Sequence, residues 1–144
     1  MITAVDTNIL LDILIPDETH CEKSKSLLDE HIGKGQLMIC EIVYAELASQ
    51  FVSEKELKEF LSDTGIRLVH SNEETLYTAG ERWRGYAKNR KPAVCRKCNS
   101  PIQLRQRVLS DFIIGAHAVI NADLLLSRDR GFYKTYFTDL KVGG

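Results

Sequence analysis

Short apolar runs keep returning between helix-length segments, and this alternation constrains the fold more than any other feature of the chain. Ile2, Ala4 and Val5 begin the series, QLMIC, IRLVH and DLLLS continue it, and LKV near the C-terminus is a candidate fifth run. Each has the length of a strand buried on both faces. Strands of that kind, separated by helices, build a mainly parallel sheet of four to five strands with helices covering both sides. The expected class is therefore α/β, and 144 residues suit a single domain spanning 1–144.

The segments between the runs read as helices. NILLDIL is short and stopped by Pro16, and THCEKSKSLLDEHIGKG is amphipathic with Leu27, Leu28 and Ile32 inward. EIVYAELASQF puts Val43, Leu47 and Phe51 on one stripe. Ser53 with Glu56, and Ser71 with Glu74, have capping-box spacing, the first ahead of LKEFLSDTG and the second ahead of a long helix to about Arg90. DFIIGAHAVINA is apolar nearly all round and should be buried, and GFYKTYF is a short final helix. The stretch 92–104, within KPAVCRKCNSPIQL, reads as a loop.

Within this scaffold, certain carboxylates sit in costly places. Asp6 directly follows the first strand and Asp129 follows the fourth, so both belong at the carboxyl edge of the sheet, where sites form in such folds. Glu46 lies one turn beyond Ile42 and Val43 at the margin of a buried stripe, and Asp111 opens the most apolar helix. Each has an ordinary alternative: an Asx-turn for Asp6, a helix cap for Asp111, a turn acid neutralised by Arg128 or Arg130 for Asp129, a surface charge for Glu46. Four converging carboxylates, however, repel one another and call for compensation. A hard divalent cation supplies it, and no compact His or Cys cluster accompanies the acids to favour zinc or iron. Mg²⁺ or Mn²⁺ chemistry at a phosphodiester is the natural inference.

Charge along the chain points the same way. Residues 82–110 hold nine cations (Arg82, Arg84, Lys88, Arg90, Lys91, Arg96, Lys97, Arg105 and Arg107) and no acid, so the segment carries +9 and the remainder −10, for a net −1. A solvated helix and loop is the plain reading, and a polyanion-contacting surface the sharper one. No run approaches the roughly 20 apolar residues of a membrane span. The N-terminus carries no signal-peptide pattern, so a cytoplasmic location is expected.

AVDTNILLDIL, EIVYAELA and DFIIGAHAVINADLLLSRDRGFYKTYF, in that order, resemble PIN-domain ribonucleases, and most closely the VapC-like toxins of toxin–antitoxin pairs. The resemblance implies a three-layer α/β/α fold whose acids bind Mg²⁺ or Mn²⁺ and cleave RNA. It assigns Asp6, Glu46, Asp111 and Asp129 to the metal and catalytic site, with Asn8 and Ser127 in support; the family often has Thr at the latter position. It further implies a homodimer restrained by a cognate antitoxin that inserts a segment into the site. The rival readings are an RNA-processing nuclease of the same fold without an antitoxin, and a non-catalytic RNA- or protein-binding module. A haloacid-type phosphatase needs a second acid two residues after the strand-end Asp, and residue 8 is Asn.

The CRKC motif departs from the family pattern. Cys95 and Cys98 have the spacing of half a zinc site, which a second subunit or nearby His would have to complete; a local disulfide and two free thiols are the alternatives. Cys21 and Cys40 read as buried small hydrophobes, and His117 as a satisfied core residue. Trp83, Tyr86, Phe132 and Tyr133 could stack on bases, though core packing explains them as well.

Overall fold

The computed structural model describes residues 1–16, 18–89, 93–94, 97–98, 101–102 and 108–144. Its elements in order are β1 (Ile2–Val5), α1 (Thr7–Leu14), α2 (Cys21–His31), β2 (Gln36–Ile39), α3 (Glu41–Ala48), α4 (Glu54–Thr64), β3 (Ile66–Leu68), α5 (Glu73–Asn89), β4 (Ala93–Val94), β5 (Pro101–Ile102), α6 (Leu109–Asn121), β6 (Leu124–Leu126), α7 (Arg130–Tyr136) and β7 (Val142–Gly143). The sheet has the order β3-β2-β1-β6-β7, with every pairing parallel. This is the α/β architecture expected from the alternation, with all five apolar runs in one sheet.

β1 lies at the centre and is buried from Thr3 to Val5, as are Met38 and Leu125, the neighbours of Ala4 on either side. The chain leaves β1 toward β2 and β3 on one side and later places β6 and β7 on the other. The sheet therefore changes direction between β1 and β6, and a crevice opens there at the carboxyl ends. The backbone N–H of Asp6 donates to the Leu126 carbonyl at 2.9 Å, carrying the ladder to the lip of that crevice.

The helices close the two faces. Val43 and Leu47 of α3, Leu57 and Leu61 of α4, and Phe112, Ile114, Ala116 and Ala118 of α6 are all buried. Ser53 caps α4 by accepting from the Glu56 N–H, and Gly65 ends that helix at φ 70°, a left-handed conformation that favours glycine. Gly115 lets α6 approach the ring of Phe137, which would lie 2.5 Å from an added Cβ. Phe112, Phe132, Tyr136 and Phe137 pack as a cluster beneath it.

Three local expectations change. Asn72, not Ser71, caps α5, its Oδ1 accepting from the Thr75 N–H at 2.8 Å. Ser71 instead gives its hydroxyl to Glu41 (2.7 Å) and pins the end of β3 to α3. Ile32 is exposed rather than inward, since α2 ends at His31. In the stretch read as loop, β4 and β5 form a short antiparallel ladder pairing Ala93 with Ile102 and Val94 with Pro101. At two residues each, these strands are too short to show an alternating pattern. No described helix is long and apolar enough to cross a membrane.

Candidate active site

Asp6 does two jobs at once. As the N-cap of α1 it accepts the Thr7 N–H on Oδ1 at 2.7 Å, a helix-start role where the sequence offered an Asx-turn. Its other oxygen, Oδ2, accepts from Ser127 Oγ at 2.7 Å, Asn8 Nδ2 at 3.2 Å and Tyr133 OH at 3.2 Å. The residue is only 7% exposed. Burial pushes its carboxyl up to about 6; the Ser127, Thr7 and Tyr133 hydrogen bonds oppose that rise, and the charge of Asp111 adds to it.

Asn8 and Ser127 tie the β1 and β6 ends together. Asn8 Nδ2 also donates to Ser127 Oγ at 3.2 Å, while Asn8 Oδ1 accepts the Arg128 N–H at 3.1 Å. Ser127 Oγ accepts the Asp129 N–H at 3.0 Å and so fixes the turn that carries this acid. Asp129 is half-buried and stands at the N-cap of α7. The Arg128 guanidinium forks onto Asp12 at 2.7 and 2.9 Å.

The other two acids face the same region. Asp111 is half-buried in the first turn of α6, three residues past the position its capping alternative required, because Val108 is the N-cap. Its charge is felt at Asp6, Glu46 and Tyr133. Glu46 is exposed as a residue, yet its carboxyl end accepts from Thr7 Oγ1 at 3.2 Å. Partial desolvation of that carboxyl raises its pKa, Thr7 opposes the rise, and Asp111 reinforces it. Tyr133 is held strongly in its neutral form by burial first, then by the charges of Asp6 and Asp111, so its hydroxyl remains a donor.

Among the described residues, no three His, Cys, Asp or Glu side chains are grouped closely enough to hold a metal ion as they stand. The donor chemistry nonetheless fits Mg²⁺ or Mn²⁺. The polar groups are oxygens, and Asp6 and Glu46 are raised in part by the charge of Asp111, a repulsion that a cation relieves. Mg²⁺ commonly takes only one or two carboxylates and keeps several waters. Nearby Cys40 is buried, which pushes its thiol up to about 11 and leaves it protonated at neutral pH.

Thr7 and Asp12 belong to this region although sequence reasoning gave them no site role, and so does Tyr133, which it weighed only as a base-stacking or core residue. Thr7 lies between two singled-out residues, and its hydroxyl was the available signal. Asp12 carried no local signal, because its partner Arg128 is 116 residues away. Tyr133 is a core residue, as packing suggested, with its hydroxyl turned to Asp6.

The basic stretch is only partly described. Arg84, Lys88 and Lys97 are exposed. Arg82 is committed to the protein: it forks onto Asp139 at 2.7 and 2.9 Å and lies 4.8 Å over the Phe137 ring. Arg90, Lys91, Arg96, Arg105 and Arg107 lie outside the described residues, as does Cys95; Cys98 is exposed.

An α/β fold with acids gathered at the switch point of a parallel sheet defines a class of proteins that work on ligands at the strands' carboxyl ends. The PIN domain family model matches residues 3–138, and the chain belongs to the PIN-domain family, whose members are generally nucleases. No curated protein matches the chain. Among solved structures, a toxin–antitoxin complex from Klebsiella pneumoniae is similar with TM-score 0.66 and 19% identity, covering 99% of this chain and 96% of that one. VapBC2 from Rickettsia felis, bound to a promoter DNA fragment, gives 0.64 and 19%, covering 99% and 98%. VapBC-1 from nontypeable Haemophilus influenzae gives 0.61 and 22%, covering 99% and 97%. At these identities the likeness concerns the fold.

Proposed function

We propose that this chain is a divalent-cation-dependent endoribonuclease and the toxin of a toxin–antitoxin pair. The observation that carries the reading is Asp6: a buried carboxylate, held by four donors at the sheet's switch point and repelled by Asp111, is costly without a compensating charge. Membership of the PIN family supports nuclease chemistry. The toxin–antitoxin complexes with the same fold support an antitoxin partner.

In this reading Asp6, Asp111 and Asp129 hold Mg²⁺ or Mn²⁺, and Glu46 completes the shell directly or through water. A cation held there would supply a water of lowered pKa and compensation for negative charge at phosphorus. Asn8 and Ser127 keep Asp6 oriented, and the Ser127 bond to the Asp129 N–H keeps the two strand-end acids in register. Tyr133 donates to Asp6 throughout, since its own ionisation is suppressed. Exposed cations, including Arg84, Lys88 and Lys97, attract the RNA backbone in a salt-dependent way. The protein acts in the cytoplasm as a homodimer.

The test is cleavage of a mixed RNA pool by antitoxin-free protein with Mg²⁺ or Mn²⁺, compared with Asp6→Asn and with excess EDTA. Cutting by the wild type alone, silent in both controls, is the expected result. Cutting that survives Asp6→Asn and EDTA removes the proposed site. Absence of cutting by the wild type leaves a binding module as the better account.

A further inference from the structure

A cavity of about 210 Å³ has a lining whose character differs from that of the acids. His20, Lys23, Arg128 and Arg130 line it, with Ile9 and Leu27 among its apolar walls. Among the described residues no acidic side chain lines it. Its cations come from two distant segments, at the start of α2 and around the start of α7, so no charge run in the sequence marks it.

Two features make the cavity a built site. Arg128 is anchored: Asp12, 4% exposed, takes its guanidinium fork and also accepts from Ser24 Oγ at 2.6 Å, which locks α1, α2 and the β6–α7 turn together. Lys23 and Arg130 are exposed, and the Gly144 carbonyl takes a single Arg130 N–H at 3.2 Å. The lining residues are also neighbours of the site residues along the chain. Arg128 and Arg130 bracket Asp129, and Ile9 follows Asn8, which binds both Asp6 and the Arg128 N–H.

We propose that this cavity is a phosphate subsite, holding a backbone phosphate of the nucleic-acid strand next to the bond presented to the acids, a proposal that rests on the nuclease reading above. Lys23 and Arg130 supply the charge, as a point cation and a planar fork respectively. Ile9 and Leu27 give the adjoining sugar or base an apolar wall. Arg128, already matched by Asp12, positions the turn instead of adding net charge. The subsite thus sets which length of strand lies across the acids, and binding there registers the substrate for cleavage.

The experiment measures binding of a labelled single-stranded RNA of mixed sequence, in EDTA so that no cleavage occurs, at 50–200 mM salt. Wild type is compared with Lys23→Gln, Arg130→Gln, the double variant, and Lys55→Gln on α4 as a control for general charge loss. Removing one cation that pairs with a phosphate should flatten the salt slope by about 0.7, so the double variant's deficit should shrink roughly sevenfold between the two salt concentrations. In a parallel cleavage assay with Mg²⁺ or Mn²⁺, Lys23→Gln should raise KM while leaving kcat within about twofold. If wild type binds and cuts RNA but the double variant has an unchanged slope, or Lys55→Gln is equally impaired, the subsite is overturned and the nuclease reading stands. If wild type neither binds nor cuts RNA, both fall.

Discussion

Replacing the central acid of the site should make the metal-free protein more stable at neutral pH. Burial raises the Asp6 carboxyl from 3.8 to about 6. That difference corresponds to about 3 kcal/mol against the folded state once the group is ionised. Between the two values the folded chain keeps a proton that the unfolded chain releases, so this contribution falls as pH rises through the window and is constant above it. Asp6→Asn removes the charge. Its carbonyl can still accept the Thr7 N–H, and the Tyr133 hydroxyl can turn to accept from the new amide; Ser127 Oγ, which already accepts from Asn8 Nδ2 and the Asp129 N–H, cannot. The Ser127 hydroxyl and Asn8 Nδ2 each lose their acceptor there, which offsets about 2 kcal/mol together. The variant should therefore be about 1 kcal/mol more stable than wild type at pH 7.5 and about 2 kcal/mol less stable near pH 3.5. Urea denaturation in EDTA across that range reads the difference directly. The other acids of the site are the same in both proteins, so the comparison isolates Asp6 to first order. A difference that does not change with pH would refute the argument that Asp6 is a desolvated charge awaiting compensation.

Two further predictions concern the frame around the site. Asp12→Ala leaves Arg128 without its partner, but the guanidinium side chain is 38% exposed, so the loss should be about 1–3 kcal/mol in urea denaturation, well short of a fully buried pair. Gly115→Ala brings a methyl to 2.5 Å from the buried Phe137 ring and should lower stability by about 1–3 kcal/mol, with a fall in thermal midpoint as its readout.

The sheet was legible because its strands are short, mostly apolar runs, and a central parallel strand has little choice of composition. Asp6 and Asp129 stood out for the same reason, as charges placed where apolar residues end. The α4 start was legible too, since Ser53 and Glu56 are close in sequence and the cap is a local bond. Features made by distant partners were not. Ser71 lost its capping role to Asn72 because Glu41, thirty residues earlier, claims its hydroxyl. Arg82 looked like one more cation in a basic stretch until the fold brought Asp139 against it. The basic cavity was invisible because His20 and Lys23 meet Arg128 and Arg130 only in three dimensions. A linear charge count finds runs, whereas a folded surface gathers charges from separate elements.

The central claim is that Asp6, Glu46, Asp111 and Asp129 act as one divalent-cation site. Titration of Mn²⁺ into wild type, Asp6→Asn, Asp111→Asn and the remote α4 variant Asp63→Asn tests it without relying on any substrate. Asp6→Asn and Asp111→Asn should each weaken the same binding event by about tenfold or more, while Asp63→Asn leaves it unchanged. Equal Mn²⁺ affinity in all four proteins would contradict the claim.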